Sequence, residues 1–215
     1  MPTELLNCKL IFESAYNKRY TWPKQFNGYK GNCIFIEDDT TYESMFSVDK
    51  TFKVNVSNVE NQEKVKLISS QLFEVTIHRL KRDFEKVHSE NNFKLIKEDT
   101  KGKQISVSGK NEGDKYRVKD NKINMVFRNI HGLIIEIFVE EFFDTGLGFL
   151  TKKYTSQQLD NKSLNPLSPK YSYLDEFTNI ERGLWLLKSR SIEYLNEQNK
   201  PVKKNFKFEN LILMQ

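Results

Sequence analysis

Residues 114–156 read DKYRVKDNKINMVFRNIHGLIIEIFVEEFFDTGLGFLTKKYTS, and this stretch decides the fold. Tyr116 and Val118 alternate with charged neighbours, and Asp120-Asn121 then supplies a good two-residue hairpin turn. The spacing predicts strands over 114–119 and 122–130 on either side of it. A second pair, 132–143 and 147–156, closes across Asp144-Thr145-Gly146. Segments of period two separated by such short turns specify an antiparallel meander.

The meander extends in both directions. Upstream, residues 92–98 and 103–109 form a hairpin around Lys101-Gly102, and 31–37, 41–48 and 51–57 read as three short strands. Downstream, strands fall near 171–180, 184–195 and 202–212, after a loop over 158–170 that contains Pro166 and Pro169. That loop is longer than most in compact domains. Two segments break the period. Residues 3–20 read as a helix with Thr3 as N-cap and Leu6, Leu10, Ala15 and Tyr16 among its apolar positions, closed by Pro23. Residues 60–89 form the strongest helix: Val65, Ile68 and Leu72, then Phe73, Ile77, Leu80, Phe84 and Val87, recur at spacings of three and four. The expectation is one α+β domain over 1–215. It consists of a strongly curved antiparallel sheet or open barrel of about ten strands packed on a core helix at 60–89, with an N-terminal helix within 1–22.

A chain of 215 residues buries roughly 70% of its unfolded surface without needing disulfides or metal. The 16 Phe, 9 Tyr and 2 Trp supply large pieces of that core. The net charge of +5 is spread over scattered lysines, not gathered with aromatics on one face, which argues against nucleic-acid binding. Cys8 and Cys33 have no CxxC or metal spacing, as expected in a reducing compartment. Met1-Pro2-Thr3-Glu4-Leu5-Leu6 lacks the basic and apolar regions of a signal peptide. The longest apolar run, Leu133 to Phe143, is interrupted by Glu136, Glu140 and Glu141 and is too short to span a bilayer. A soluble cytoplasmic protein is expected.

Catalytic motifs are missing. Asp144-Thr145-Gly146 matches the aspartic-protease triplet but occurs once, and it is an equally good tight turn. His78 and His88 would stand nearly a right angle apart on one helix and make no chelating pair, and His131 lies elsewhere. Gly146-x-Gly148 lacks the rest of a dinucleotide fingerprint.

Three stretches carry a resemblance. They are Ala15-Tyr16-Asn17-Lys18-Arg19-Tyr20-Thr21-Trp22-Pro23 with Phe26-Asn27-Gly28-Tyr29, then His78-Arg79 with Phe84 and His88, and then Tyr116-Arg117-Val118, Arg128-Asn129-Ile130-His131 and Asp144 to Leu150. Together they resemble an uncharacterised family of about this length found in cyanobacteria and plastid-bearing plants, with Arg-Tyr-Thr-Trp-Pro its most specific part. The resemblance implies a photosynthetic lineage and a cytoplasmic or stromal setting, not a reaction. More loosely, the layout is similar to the bacterial lipoprotein-carrier fold and to lipocalin-like bilin lyases, which are fold-level analogies.

In a chain whose default cation is Lys, each of the seven arginines is a candidate for planar, bidentate or stacking geometry. Arg19 lies among Tyr16, Tyr20 and Trp22. Arg79 stands beside His78 and four residues before Asp83, a pairing distance on a helix. Arg128 shares a strand face with Val126 and Ile130. One reading makes these structural salt bridges and stacks. The other makes Arg19, Arg79, Arg128 and His131, with His78 adjacent, a pocket rim for an anionic head group. Tyr16, Trp22 and Tyr116 would then line an apolar interior.

The expected function is therefore that of a non-enzymatic binding or assembly protein of a photosynthetic cell. It would hold an amphipathic small molecule or a segment of a photosynthetic-complex protein. A bilin-lyase-like chaperone and a purely structural subunit are the alternatives. No cofactor is specified by the sequence.

Overall fold

The computed structural model describes residues 2–181 and 183–215, with side chains from Asn7 onward. Among the described residues, three helices and twelve strands follow one another. Helix α1 (Pro2–Asn17) is followed by β1 (Gly28–Glu37), β2 (Thr40–Asp49) and β3 (Val54–Ser57). Then come α2 (Gln62–Arg79), α3 (Phe84–His88), β4 (Asn91–Asp99), β5 (Gly102–Gly109), β6 (Lys115–Lys119) and β7 (Lys122–Ile130). The chain continues with β8 (Leu133–Asp144), β9 (Phe149–Asp160), β10 (Tyr171–Asn179), β11 (Trp185–Leu195) and β12 (Pro201–Leu213). The strands are hydrogen-bonded in the order β3-β2-β1-β12-β11-β10-β9-β8-β7-β6-β5-β4, so the sheet is open, with β3 and β4 as edges. This is the α+β class read from the sequence, with twelve strands where about ten were expected.

The chain divides into two compact units, both discontinuous in sequence. The first contains the residues through Tyr20 and Arg82–Ser172; the second contains Thr21–Lys81 and Tyr173–Gln215.

In the first unit α1 packs on the strands and buries Cys8, Phe12, Ala15 and Tyr16 against Phe84, Phe93, Ile105, Val107, Tyr116 and Val118. The register explains the sheet side of this core. Phe93 pairs with Val107, Leu95 with Ile105, Ile105 with Tyr116, and Tyr116 with Val126, so one face carries an unbroken apolar row across four strands. Asp120 and Asn121 both adopt positive φ, 50° and 58°, as a two-residue hairpin requires. Asp144-Thr145-Gly146 is a turn: the Asp144 carboxylate accepts from Gly146 N–H at 2.9 Å, and Thr145 N–H donates to the Gly148 carbonyl at 3.0 Å.

Helix α1 stops at Asn17 and does not continue to residue 20. Tyr20 N–H donates to the Phe149 carbonyl, and Phe149 N–H donates to the Lys18 carbonyl, both at 3.0 Å. Residues 18–20 are thereby drawn off as a short bridge to β9. Gly148 permits it, since a Cβ there would stand 2.7 Å from the Lys18 carbonyl oxygen. Thr3, read as the N-cap, falls inside the helix; its side chain and that of Leu6 lie outside the described residues.

The helix expected over 60–89 is two helices. Asn61 caps α2 by accepting from the N–H groups of Glu63 and Lys64. The helix ends at Arg79, and Asp83 then caps α3 by accepting from Lys86 N–H at 3.1 Å. Asp83 is thus a cap, not the i+4 partner of Arg79. In the second unit α2 buries Ile68, Leu72, Val75 and Thr76, and leaves Phe73 half exposed at 51%. Phe84 belongs to the other unit's core. The expected loop begins later than 158, because β9 runs to Asp160. The turn from Asp160 to Asn165 is closed by its own hydrogen bonds.

Candidate ligand-binding site

The first unit gathers four of the eight residues singled out from the sequence: Tyr16, Arg19, Tyr116 and Arg128. Arg19 stands just past the end of α1. Its Nε donates to the Tyr16 carbonyl at 2.9 Å, and its guanidinium lies 3.7 Å from the Tyr16 ring centroid. A cation suits this position because the last carbonyls of a helix carry partial negative charge. Burial pushes the Arg19 pKa down, against the Tyr16 and Tyr116 phenols that raise it. Nη1 and Nη2 of Arg19 make no hydrogen bond within the described protein.

Arg128 approaches from β7. Its Nε donates to Asp114 Oδ2 at 3.2 Å, and its Nη groups are likewise without a partner among the described residues. Asp114 is 2% exposed, and both of its oxygens are engaged. Oδ2 also accepts from the Tyr116 hydroxyl at 3.0 Å, and Oδ1 accepts from Asn129 N–H at 3.1 Å. Burial and the Asp114 charge raise the Tyr116 pKa, so the phenol stays protonated and donating. One buried carboxylate with both oxygens engaged therefore accompanies two arginines that retain unused donors.

His88, on α3, completes this region. Its ring lies 5.4 Å from those of Phe12 and Tyr16 and 5.0 Å from that of Phe84. Nδ1 is 2.9 Å from Asn91 Nδ2; the amide can only donate, so Nδ1 accepts. Asn91 in turn exchanges two hydrogen bonds with Asn111. Burial first, and then the charges of Arg128 and Arg19, push the His88 pKa down to about 4.

Beside Arg128 lies an apolar bed. Arg128 pairs across the strands with Ile135 and Val126 with Ile137, so alternation places Ile135, Ile137 and Val139 of β8 on the same face as the guanidinium. All three are half-buried. This arrangement can hold an anionic group at the arginines with an apolar body along β8. A separate hollow of about 540 Å³ lies beside Leu10, Ile11 and Val118 and is also lined by Asp99, Lys103 and Asp120; none of the eight residues reaches it. Among the described residues no three His, Cys, Asp or Glu side chains gather as a metal site would.

The other four residues are elsewhere. His131 is exposed at the tip of the β7–β8 hairpin, with φ 52°. Trp22, His78 and Arg79 belong to the second unit. Trp22 is buried; its backbone N–H donates to the Arg79 carbonyl at 2.8 Å, and its Nε1 donates to the Trp185 carbonyl at 3.0 Å. The Arg79 guanidinium is 5.7 Å from the Phe177 ring centroid, and His78 is exposed on α2.

Sequence reasoning passed over Asp114, His88 as a buried neutral ring, and Arg190. Arg190, 3% exposed, is clamped by Asp175 through two bonds of 2.8 Å. Its Nη1 also donates to Gln71 at 3.0 Å and to Glu74 at 3.2 Å. Gly113-Asp114 reads only as a turn, and Asp175-Glu176 only as a charged edge. The one available signal for Arg190 was its choice over Lys in an apolar strand.

An α+β chain with an open twelve-stranded sheet and an arginine-rich aromatic cluster is the class that emerges. The family model described as "Protein of unknown function (DUF3386)" matches residues 3–214, and the chain belongs to that family. No curated protein matches it. Similar solved structures include a DUF1329 family protein from Desulfovibrio piger, 7% identical over 98% of this chain and 93% of that one, with a TM-score of 0.27. Another is a LolA superfamily protein from Nitrosomonas europaea, 9% identical over 97% and 94% of the two chains, with a TM-score of 0.29.

Proposed function

We propose that this is a non-enzymatic binding protein for an acidic amphipathic molecule. The acid group is held by Arg19 and Arg128, and the apolar body lies along Ile135, Ile137 and Val139. The observation that carries this reading is the pair of guanidiniums whose Nη donors find no acceptor among the described residues, beside an aspartate whose two oxygens are both engaged. Arg is the side chain whose fork matches a carboxylate, and such charge-assisted bonds are the strong ones. The ligand is lipid-like or pigment-like. The setting proposed is the cytoplasm or stroma of a photosynthetic cell, supported by the Arg-Tyr-Thr-Trp-Pro resemblance.

Fluorescence titration with cis-parinaric acid and with its methyl ester tests this. The acid is expected to bind about tenfold more tightly than the ester, the equivalent of about 1.4 kcal/mol. The difference should vanish in the Arg19→Gln, Arg128→Gln double variant. Equal affinity of acid and ester for the unaltered protein would overturn the assignment of the head-group site.

A further inference from the structure

The second unit holds a feature that the arginine site does not use. Phe52 closes the turn between β2 and β3 with φ 66°, a left-handed conformation that a bulky side chain rarely adopts. The turn is fixed by hydrogen bonds that do not involve the ring. Phe52 N–H donates to the Asp49 carbonyl at 2.8 Å and Asp49 N–H to the Lys53 carbonyl at 3.0 Å. The Asp49 carboxylate also accepts from Thr51 N–H, the Thr51 hydroxyl and Lys53 N–H. Glycine or asparagine would fill this position with less strain. The phenylalanine instead lays its ring nearly parallel to Trp22, at 11° and with centroids 6.4 Å apart.

Beneath Trp22 the box is aromatic throughout. Phe26 lies 4.4 Å from Trp22, Tyr29 lies 5.8 Å from Trp22 and 6.1 Å from Phe26, and Phe46 lies 5.6 Å from Tyr29. Tyr29 is 1% exposed, yet its hydroxyl has no hydrogen-bond partner among the described residues. Burial raises its pKa, so it remains a donor, while the Arg79 charge acts on it in the opposite direction. A buried donor left unpaired is disfavoured and needs an explanation. A hollow of about 460 Å³ borders the same turn at Asn27, Asp49, Lys50 and Thr51.

We propose that this box is a second binding site, for a planar aromatic molecule carrying a hydrogen-bond acceptor, with Phe52 as its displaceable cover. The ligand's ring takes the place of Phe52 over Trp22, and its acceptor receives the Tyr29 hydroxyl proton in a hydrogen bond. Displacement gives up the contact between Phe52 and Trp22, and the ligand's own ring on the Trp22 face replaces it. The arginine site of the first unit plays no part in this proposal.

Calorimetric titration of the full chain with coumarin and with 2-naphthoate is the test. Phe52→Gly, which removes both cover and strain, is expected to tighten binding of at least one probe by tenfold or more. Adding Tyr29→Phe should then weaken that probe by about tenfold. Arg19→Gln should leave it unchanged, which separates this site from the head-group site. Should Phe52→Gly not fold, as judged by its melting curve, Phe52→Asn keeps the left-handed turn without the ring and replaces it. Two results overturn the proposal: no binding of either probe at millimolar concentration to the folded variant, or equal affinity with and without the Tyr29 hydroxyl, which would mean that the hydroxyl holds a buried water only.

Discussion

Arg190 in the second unit is buried, whereas Arg19 and Arg128 in the first are only half-buried, and their bonding differs as well. Arg190 meets Asp175 in a two-bond fork and adds Gln71 and Glu74, so its head is enclosed by acceptors from α2 and the sheet. Arg19 uses one donor on a helix carbonyl, and Arg128 uses one on Asp114. A saturated guanidinium has its interactions spent within the fold. One with idle Nη groups has them available to something else. The contrast separates structural arginines from candidate binding arginines in bonding as well as in burial.

The comparison breaks most visibly at Arg190. Arg190→Leu strands Asp175 as a buried charge and is expected to lower stability by about 3–5 kcal/mol in urea unfolding. Replacing Asp175 by Leu as well should recover a large part of that loss, because the penalty belongs to the unpaired ion. A loss below about 1 kcal/mol in the single variant would mean that the clamp is not closed.

A smaller effect is expected from pH. His88 in the unfolded chain takes a proton near its ordinary 6.5, whereas in the fold it resists until about 4. As pH falls below 6.5 the unfolded state binds the extra proton first. Stability should therefore decline between pH 6.5 and 4, by roughly 2–3 kcal/mol, and level off below that window. His88→Gln should flatten the His88 part of the curve, and neutralising Arg19 and Arg128 should shrink it. An unchanged pH profile in His88→Gln would show that the ring is not held neutral by its surroundings.

The smallest effect is the most discriminating. Arg19→Gln removes one hydrogen bond and one cation–π contact at a partly open site, so its stability cost should stay near 1 kcal/mol or below. A thermal or urea measurement showing more than about 2 kcal/mol would place Arg19 with Arg190 among the structural residues.

Much of the fold was legible because its signals are local. Alternation in 114–156 and the Asp120-Asn121 turn fixed the meander, and the strand limits there agree within two residues except at the end of β9, which runs on to Asp160. The 60–89 stripe misled because periodicity persists across a break: Phe73 and Phe84 fit one helical phase while Leu80 to Asp83 leaves the helix between them. Asp83 before Phe84 was a cap signal visible in hindsight. At the candidate site, Arg19 with Tyr16 was readable because the two lie close together in the sequence. Arg128 with Asp114 depends on the register of β6 and β7, and Arg190 with Gln71 spans more than half the chain. No short-range pattern encodes either.

The interleaving of the two units has a consequence for how the chain is made. Strand β1 pairs with β12, Tyr29 opposite Leu213, so its partner is synthesised long after it. The first unit has all its segments once Ser172 has emerged, and it can mature while the second still waits. During that interval β1 offers an unpaired, aromatic-rich edge to any passing strand. Closing so long a loop is slow, and exposed edges are where nascent chains aggregate. Holding β1 safe until β12 arrives is thus the hazardous step of biogenesis, and the stage at which a chaperone would act.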